Sequence, residues 1–521
     1  MLVILSGGLL TASFPGIGAW YAAWGALVFL LFALRDTGPQ KSFWLGFLAG
    51  FVHYLSLLYW LVPTMRVYGY LPLPVSVLTL SLLAGYLAVY PALFAWSLAR
   101  FCRRPAGVLL MAPVFWISLE YIRSTILSGF PWGLVGYSQF SRLNLIQMAD
   151  IFGVYGVSGI VLFANAALFL LLLAVSGKRW QGFMLRPREA GVAVLLALAA
   201  LGSAWVYGNS AISAIDRQAG AADTLNVAVI QGNIDQMQKW DSAFQEQTID
   251  KYFYLSEKAG HPSPDLVVWP ETAAPFYFNY NVSARENLRD RVAASGRAFL
   301  IGVLSADIAG RVPAEYNSAF LLGKDGDVLG RYDKVHLVPF GEYVPFNQYV
   351  PFIDTLVAQV GNFDAGQKGN VLSWSAADIG VLICYESIFP PLSAEMVANG
   401  ADFLVNMTND AWFGKTSAPH QHFSMAVFRA VENRRTLVRA ANTGISGFID
   451  PAGRILEAGP LFQDAVLSRS LPLVKDYKTF YTRHKDFLPL ACLVASGGLI
   501  VLLFIREKNK ANPLEGGVKE V

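Results

Sequence analysis

The sequence predicts a multi-span α-helical membrane bundle joined to an α/β layered domain, and three observations support this fold class. The 521-residue chain is 54% hydrophobic and only 15% charged, whereas an ordinary soluble domain carries about 25% charged residues. Long uncharged runs are confined to residues 1–212 and to a run near the C-terminus, while residues 213–485 mix charged and apolar residues. In that mixed stretch, apolar runs typical of strands alternate with segments of helical spacing, which indicates sheets with helices outside.

Eight apolar segments approach the length of about 20 residues that crosses a bilayer. They are residues 2–14, 18–34, 42–65, 75–98, 106–122, 154–176, 190–207 and 487–505. We therefore expect about seven spans in a bundle at 1–212, a C-terminal span within 486–505 and a tail at 506–521. The first segment is short, so we expect half of a hairpin with the second segment or the end of a longer helix. No basic stretch precedes it and more spans follow, so a signal peptide is not favoured.

Basic residues concentrate in alternate loops between these segments. The loops after the second, fourth, sixth and eighth segments contain Arg35, Lys41, Arg100, Arg103, Arg104, Lys178, Arg179, Arg186, Arg188, Arg506, Lys508 and Lys510. The intervening short loops carry only Arg66, Arg123 and Arg142. Because loops rich in Lys and Arg stay in the cytoplasm, both termini and the tail are predicted inside and the domain at 213–485 outside.

Composition also excludes some classes of function. The net charge of +3 is small and gives no case for a nucleic-acid partner. The three cysteines, Cys102, Cys384 and Cys492, are too few and too scattered for a disulfide framework. Cys102 and Cys492 lie in or beside apolar segments and are expected to be small buried hydrophobes.

Two features of the bundle concern its predicted outer end. Glu120 and Arg123 stand one helical turn apart, and an i,i+3 ion pair near the headgroups is the simplest interpretation. Trp132 and Tyr137 follow in a loop of about thirty residues. Interfacial Trp and Tyr are common, so an aromatic belt is expected there, although the loop is long enough to bind lipid.

The outer domain is predicted to contain short strands alternating with helices. The strands are expected at 226–231, 265–269, 298–303, 317–322, 327–332, 377–384, 403–405, 437–440, 446–449 and 454–456, and the helices at 242–258, 285–294, 389–399 and 419–434. The turn at 324–326 (KDG) predicts a hairpin between the fourth and fifth strands.

Three residues of this domain together indicate covalent acyl transfer. Glu271 follows one predicted strand and Cys384 ends another, so both are expected at carboxyl ends of strands, where α/β folds place ligands. Lys334 lies just past the predicted hairpin. A single buried cysteine is usually inert and a lone lysine is usually solvated, but a thiol with a carboxylate and an amine nearby suits an acyl-enzyme.

These residues lie in motifs that resemble those of the nitrilase superfamily, which has a Glu-Lys-Cys triad on an αββα sandwich. The matching stretches are 265–271 (DLVVWPE), 332–334 (YDK) and 382–386 (LICYE). Together with the membrane half, nearly the whole chain resembles the apolipoprotein N-acyltransferase family. Supporting stretches are 129–132 (GFPW), 136–139 (GYSQ), 231–234 (QGNI), 336–345 (HLVPFGEYVP) and 406–414 (NMTNDAWFG).

The resemblance implies a ping-pong N-acyltransferase in the bacterial inner membrane with its catalytic domain on the periplasmic face. A Cys384 thioester would take an acyl chain from a phospholipid, typically from sn-1 of phosphatidylethanolamine. The α-amine of the S-diacylglyceryl cysteine of an apolipoprotein would then accept it. No cofactor or metal is implied, and a monomer is expected.

The resemblance also implies roles for individual residues. Glu271 would be the general base. Lys334 would stabilise the oxyanion together with the Tyr385 N–H and would favour the Cys384 thiolate. Auxiliary roles in catalysis or substrate handling are expected for a further set of residues. This set comprises Glu342, which would orient Lys334 or Glu271, and Tyr385, Glu386 and Trp240.

Aromatic residues cluster in three stretches near these motifs, at 276–280, 340–352 and 412–413. Core packing is one interpretation. We favour mobile arms that touch the bilayer, admit acyl chains and shield a thioester from water.

Three alternatives remain open at this stage. A membrane-tethered amidohydrolase would use the same triad with water as the acceptor. A papain-like site would pair Cys384 with His336, His420 or His422. A lipid-binding receptor or transporter with a decayed nitrilase-like module would form no acyl-enzyme.

Overall fold

The computed structural model describes residues 1–236, 238–239, 241–260, 263–308, 313–344, 363–475 and 477–511. The helices are α1 Leu2–Ala12, α2 Ala23–Leu34, α3 Pro39–Leu57, α4 Leu61–Val67, α5 Leu73–Phe101, α6 Val108–Thr125, α7 Leu143–Ile146, α8 Ala149–Val175, α9 Pro187–Ala221, α10 Gln245–Glu257, α11 Val282–Ser295, α12 Pro390–Ala398, α13 Ala418–Asn433, α14 Phe480–His484 and α15 Phe487–Ala511. The strands are β1 Arg179–Trp180, β2 Phe183–Met184, β3 Thr224–Gln231, β4 Leu266–Val268, β5 Ala274–Tyr277, β6 Ala298–Asp307, β7 Ala314–Leu322, β8 Val328–Asp333, β9 Ile379–Ile383, β10 Phe403–Thr408, β11 Leu437–Ala441, β12 Gly447–Ile449, β13 Ile455–Ala458 and β14 Ala465–Pro472.

The membrane bundle contains five helices in the described residues that are long and apolar enough to span a bilayer: α5, α6, α8, α9 and α15. Helices α3 and α4 form a sixth candidate, bent by 49°. Helix α1 has 11 residues and α2 has 12, which at 1.5 Å per residue gives about 16–18 Å, short of the ~30 Å hydrocarbon core. The first two predicted segments are therefore shorter than a span, and they pack against each other.

Three of the loops that are rich in basic residues, those after the second, fourth and sixth predicted segments, lie together at one end of the bundle. A short β1–β2 hairpin after α8 joins them, because Trp180 Nε1 donates to the Cys102 carbonyl over 2.7 Å and Gln181 donates to the Thr37 carbonyl. The α/β domain lies at the other end, where it contacts the loop after α6. The basic loops and the α/β domain therefore lie at opposite ends of the bundle, which agrees with the pattern of charges in the sequence.

The α/β domain contains two sheets. One has the order β13-β12-β11-β10-β9, and the other has the order β14-β3-β4-β6-β7-β8 with β5 beside β6. Strands β9, β10 and β11 are parallel to one another, and so are β3, β4 and β6. Each sheet therefore has an edge where the carboxyl ends of parallel strands meet.

Alternating side chains explain how the layers stack. Val227 and Val229 of β3 face the core that also contains the β9 and β10 side chains, whereas Ala228 and Ile230 face the core beneath α10 and α11. Because successive strand residues point to opposite faces, a strand that is apolar throughout must be covered on both sides. The result is the predicted αββα sandwich.

Buried charged groups join the domain to the bundle. Arg434, at the end of α13, donates to Asp150 of α8 over 2.6 Å and also to Gln147. Arg429 of α13 donates to the Tyr137 hydroxyl over 3.2 Å. Breaking one member of such a pair leaves a buried charge uncompensated, so these contacts fix the domain on the bundle.

The predicted ion pair between Glu120 and Arg123 is wrong. Arg123 instead donates to the carbonyls of Phe130 and Trp132, and Glu120 accepts the Val135 N–H over 2.8 Å. Both side chains are buried and hold the loop after α6, because each binds backbone groups of that loop.

The predicted aromatic belt and one predicted arm are also wrong. Trp132 is buried against Trp60 and Phe413 rather than exposed to lipid headgroups. Phe276 and Phe278 lie on and beside β5, a strand that the sequence did not predict, and pack in the domain core. Edge strand β14 was also missed, since its burial follows no regular alternation.

Candidate active site

Cys384 begins a short 3₁₀ turn directly after β9, at the carboxyl edge of the smaller sheet. Its φ of +52° is unusual for a residue other than glycine. The carbonyl oxygen of Cys384 holds this turn in place. It accepts hydrogen bonds from Ser387 Oγ at 3.1 Å, from His422 Nε2 at 3.2 Å and from Asn406 Nδ2 at 3.4 Å. The surroundings therefore stabilise a strained backbone that presents the thiol.

Glu271 lies just beyond β4, at the corresponding edge of the larger sheet. One carboxylate oxygen accepts from Asn317 Nδ2 at 2.8 Å, and the other accepts the Asn409 N–H at 2.9 Å. Asn409 follows β10 and so belongs to the same edge as Cys384. The two sheet edges therefore meet at this carboxylate, as the prediction for Glu271 and Cys384 requires.

Lys334 follows β8 and is 1% exposed. Its ammonium donates to Glu342 at 2.7 Å and lies 3.4 Å from Glu271. Burial alone would lower the pKa of Lys334, but the carboxylates of Glu342 and Glu271 outweigh burial and raise it. Lys334 is therefore a permanent cation, and Asn317 links the same two carboxylates.

The Cys384 thiol is protonated at neutral pH in this environment. Burial raises its pKa above the usual range, and the Glu271 carboxylate raises it further. Lys334 and a hydrogen bond with Thr408 act in the opposite direction. Forming the nucleophilic thiolate therefore requires a base, and Glu271 is the carboxylate that acts most strongly on the thiol.

Glu386 is buried and connects the thiol turn to the lysine segment. One oxygen accepts the Val335 and His336 N–H groups at 2.6 and 3.1 Å, and the other accepts the Ile383 N–H at 2.6 Å. The Tyr332 hydroxyl donates to both oxygens at 3.0 Å. Burial raises the pKa of Glu386 to about 7 against the pull of these N–H donors. Its position is therefore structural, between the residues that flank Cys384 and Lys334.

Comparison with known proteins identifies the family. Residues 6–167 match the apolipoprotein N-acyltransferase N-terminal domain, and residues 226–478 match the carbon-nitrogen hydrolase family. A protein of Geobacter metallireducens named apolipoprotein N-acyltransferase is 43% identical over 98% of this chain and 96% of its own length. The chain belongs to the apolipoprotein N-acyltransferase family. A Brucella melitensis biotype 1 protein of the same name is 33% identical over 96% of this chain and 95% of its own.

Among solved structures, an amidase from Nesterenkonia sp. AN1 with a modified active-site cysteine is 22% identical. The match covers 50% of this chain and 92% of the amidase chain, with a TM-score of 0.37. Membership of the apolipoprotein N-acyltransferase family makes the chain an acyltransferase and a membrane protein, as predicted. The alternative of a lipid-binding protein without enzymatic activity is therefore wrong.

The papain-like alternative is not supported in this apolipoprotein N-acyltransferase family member. His422 Nε2 donates to the Cys384 carbonyl over 3.2 Å rather than to the sulfur, and its Nδ1, which lies 3.1 Å from Asp410, accepts from Arg439 at 3.0 Å. Burial and the adjacent Arg439 lower the pKa of His422, so its ring is neutral. The ring lies 5.7 Å from that of Trp132. His422 therefore lies between the bundle loop and the thiol turn.

The other predicted auxiliary residues occupy different positions. Tyr385 is partly buried, with its ring 5.1 Å from Phe389. Trp240 and most of the 340–352 stretch lie outside the described residues. Trp412 is 40% exposed, and its ring contacts Tyr68 of the bundle at 4.9 Å. The loop at 412–413 is thus docked on the bundle rather than free.

Two site residues were missed by sequence reasoning. Asn317 lies inside β7 and Lys239 lies in the loop after β3, and neither belongs to a motif with a chemical role. Asn409 could have been assigned, since it follows a predicted strand whose carboxyl end is at the same edge as Cys384.

Replacing Glu386 with alanine is expected to destabilise the fold by at least about 3 kcal/mol. Three backbone N–H groups and the buried Tyr332 hydroxyl would lose their acceptor. The measurement is the thermal unfolding midpoint of the purified full-length protein. Glu457→Ala, at an edge-strand carboxylate 3.8 Å from Arg469, is the matched control and should change the midpoint little. Equal midpoints for the two variants would contradict the structural role.

Proposed function

We propose that this protein moves an acyl chain from a phospholipid, from sn-1 of phosphatidylethanolamine, to the α-amine of the S-diacylglyceryl cysteine of apolipoproteins through a Cys384 thioester. The observation that carries the proposal is the buried cluster of Glu271, Lys334 and Cys384 at the meeting edges of two sheets. The proposed location is the inner membrane. The domain at 213–485 would face the periplasm, and the tail at 506–521 the cytoplasm.

In the first half-reaction, Glu271 accepts the thiol proton of Cys384 while the sulfur attacks the ester carbonyl. Lys334 stabilises the resulting oxyanion, with the Tyr385 N–H as a second donor. The carbon–oxygen ester bond then breaks. Glu271 returns the proton to the leaving glycerol oxygen, which gives a lysophospholipid and the thioester.

In the second half-reaction, the neutral α-amine of the acceptor attacks the thioester carbonyl. Glu271 takes a proton from the amine nitrogen as the carbon–nitrogen bond forms. The carbon–sulfur bond then breaks, and the proton returns from Glu271 to the Cys384 sulfur. The products are an amide and the resting thiol, so one base serves both half-reactions.

The position of the cluster beside the bundle supports a lipid donor. Phe413, in the turn after β10, packs against Trp60 and Trp132 of the bundle. Phe340 is 55% exposed and lies two residues from Glu342. An exposed aromatic side chain next to a buried charged cluster suits a lipid acyl chain bound at the surface and a reaction in the interior.

The proposal is tested with the full-length protein reconstituted in vesicles that contain phosphatidylethanolamine labelled in its sn-1 acyl chain. Quenched samples are expected to carry hydroxylamine-sensitive label on Cys384. Addition of a diacylglyceryl lipopeptide with a free N-terminus should discharge the label into an amide. An N-acetylated lipopeptide is the matched control and should leave the label in place.

Two outcomes would contradict the proposal. Release of the label to water at the same rate with and without lipopeptide would favour the amidohydrolase alternative. Absence of label on Cys384 in a folded sample that transfers acyl chains would exclude the thioester.

A further inference from the structure

A second buried lysine contacts the turn that carries the general base. Lys239 is 2% exposed, and its ammonium donates to the Glu271 carbonyl at 3.1 Å and to the Thr272 hydroxyl. It lies in the loop between β3 and α10, far in sequence from the predicted triad. Neither bond goes to the Glu271 carboxylate, so Lys239 holds the backbone that orients this carboxylate, and its charge also interacts with the carboxylate.

The turn that Lys239 contacts is strained. Thr272 has a φ of +47°, which is an outlier for a β-branched residue. Such strain costs about 1–3 kcal/mol and persists only where the surroundings over-determine it. The two bonds from Lys239 supply that constraint, and close packing of the turn on Gly302 of β6 adds to it.

The same loop also fixes the other side of the base. Gln236 accepts a hydrogen bond from the Asn409 side chain at 2.6 Å, and the Asn409 backbone N–H binds Glu271. Asn442 joins this chain by donating to Asn409 at 3.1 Å. Gln236 and Lys239 therefore contact the surroundings of Glu271 by two separate routes.

We propose that Lys239 is a positioning residue that holds the Glu271 turn and supplies the second cation needed to balance the charge of the site. The inference rests on the proposed function. Two carboxylates, Glu271 and Glu342, share the site with two ammonium groups, Lys334 and Lys239. Without Lys239 the cluster carries a net negative charge, which opposes ionisation of Cys384.

The titration of Lys239 makes this role measurable. Burial lowers its pKa to about 8, against the pull of Glu271 and Cys384. Asp410, which also faces the thiol, is paired with Arg439, and Asp235 lies one turn before Lys239 on its own segment. Lys239 is therefore charged below about pH 8 and loses its charge above it. Loss of the cation lowers the acylation rate, whereas ionisation of the thiol in the same range would raise it.

The test is the single-turnover rate of Cys384 acylation by labelled phosphatidylethanolamine, from about pH 6 to pH 10. Wild type is expected to slow above about pH 8. Lys239→Met should lower the rate at least about tenfold at neutral pH and remove this alkaline limb. Lys239→Arg, which keeps its charge, should retain the neutral rate more closely and move the limb to higher pH. Lys258→Met, at an exposed lysine directly after α10, is the control and should match wild type.

The outcomes separate the two proposals. Failure of wild type to label Cys384 refutes the proposed function and this inference with it. If wild type labels normally, an unchanged rate in Lys239→Met overturns the inference alone. If Lys239→Met does not fold, the test rests on Lys239→Arg. A decline in acylation rate at the same alkaline pH in Lys239→Arg and in wild type would overturn the inference.

Discussion

Replacing Cys384 with serine is expected to abolish acyl transfer, with a loss of about 10⁶-fold as for nucleophile removal in other enzymes. Serine fits the same backbone at φ +52° and leaves the contacts of the Cys384 carbonyl in place. Its hydroxyl is far less acidic than a thiol, and the site already holds the thiol itself in its protonated form. Glu271 therefore has too little driving force to produce an alkoxide nucleophile.

The measurement is transfer of labelled acyl chain to a diacylglyceryl lipopeptide by the full-length variant, with the unfolding midpoint as a check on folding. Cys492→Ser is the matched control, since Cys492 is a buried cysteine of α15 in the bundle, and it should keep both label and transfer. Transfer by Cys384→Ser at a substantial fraction of the wild-type rate would refute the thioester route.

Replacing Glu271 with glutamine is expected to slow both half-reactions by about 10²–10⁴-fold, the usual contribution of a general base. Both carboxylate oxygens of Glu271 accept hydrogen bonds, one from Asn317 and one from Asn409. Glutamine has a single acceptor oxygen, so one of its N–H groups must face another donor. The variant therefore loses the general base and one of the hydrogen bonds that orient the side chain at position 271.

The Glu271→Gln prediction is checked by measuring acylation and discharge separately in single-turnover reactions. Glu315→Gln is the matched control, because the Glu315 carboxylate, in β7, also accepts a hydrogen bond, in its case from the Tyr277 hydroxyl. It should leave both rates unchanged. A Glu271→Gln variant that is slowed only in discharge would show that another group deprotonates Cys384.

Much of this molecule was predictable because its signals are local. Apolar length predicted the spans from α5 onward. Alternation of apolar runs with helical spacing predicted β3, β4, β6 to β13 and the helices α10 to α13 between them. Strand ends also placed Glu271 and Cys384 correctly at sheet edges, since the carboxyl end of a strand is a property of one segment.

The failures share a different cause. The aromatic residues Phe276 and Trp132 look alike in sequence whether they face lipid or protein, and only the second layer of the fold buries them. Glu120 and Arg123 stand at ion-pair spacing, but backbone groups of the loop after α6 bind both side chains instead. Whether a side chain is buried, and which hydrogen-bond partner it takes, depends on the segments that the rest of the fold places next to it.

The sequence by itself determined the membrane bundle, the α/β domain and the thiol, carboxylate and lysine that point to acyl transfer. Only the tertiary structure decided which groups surround them. Lys239, Asn317 and Asn409 reach Glu271 from three different loops and strands. Such contacts form because two sheets pack face to face with their carboxyl edges at the same end, and no pattern within a single segment records that packing.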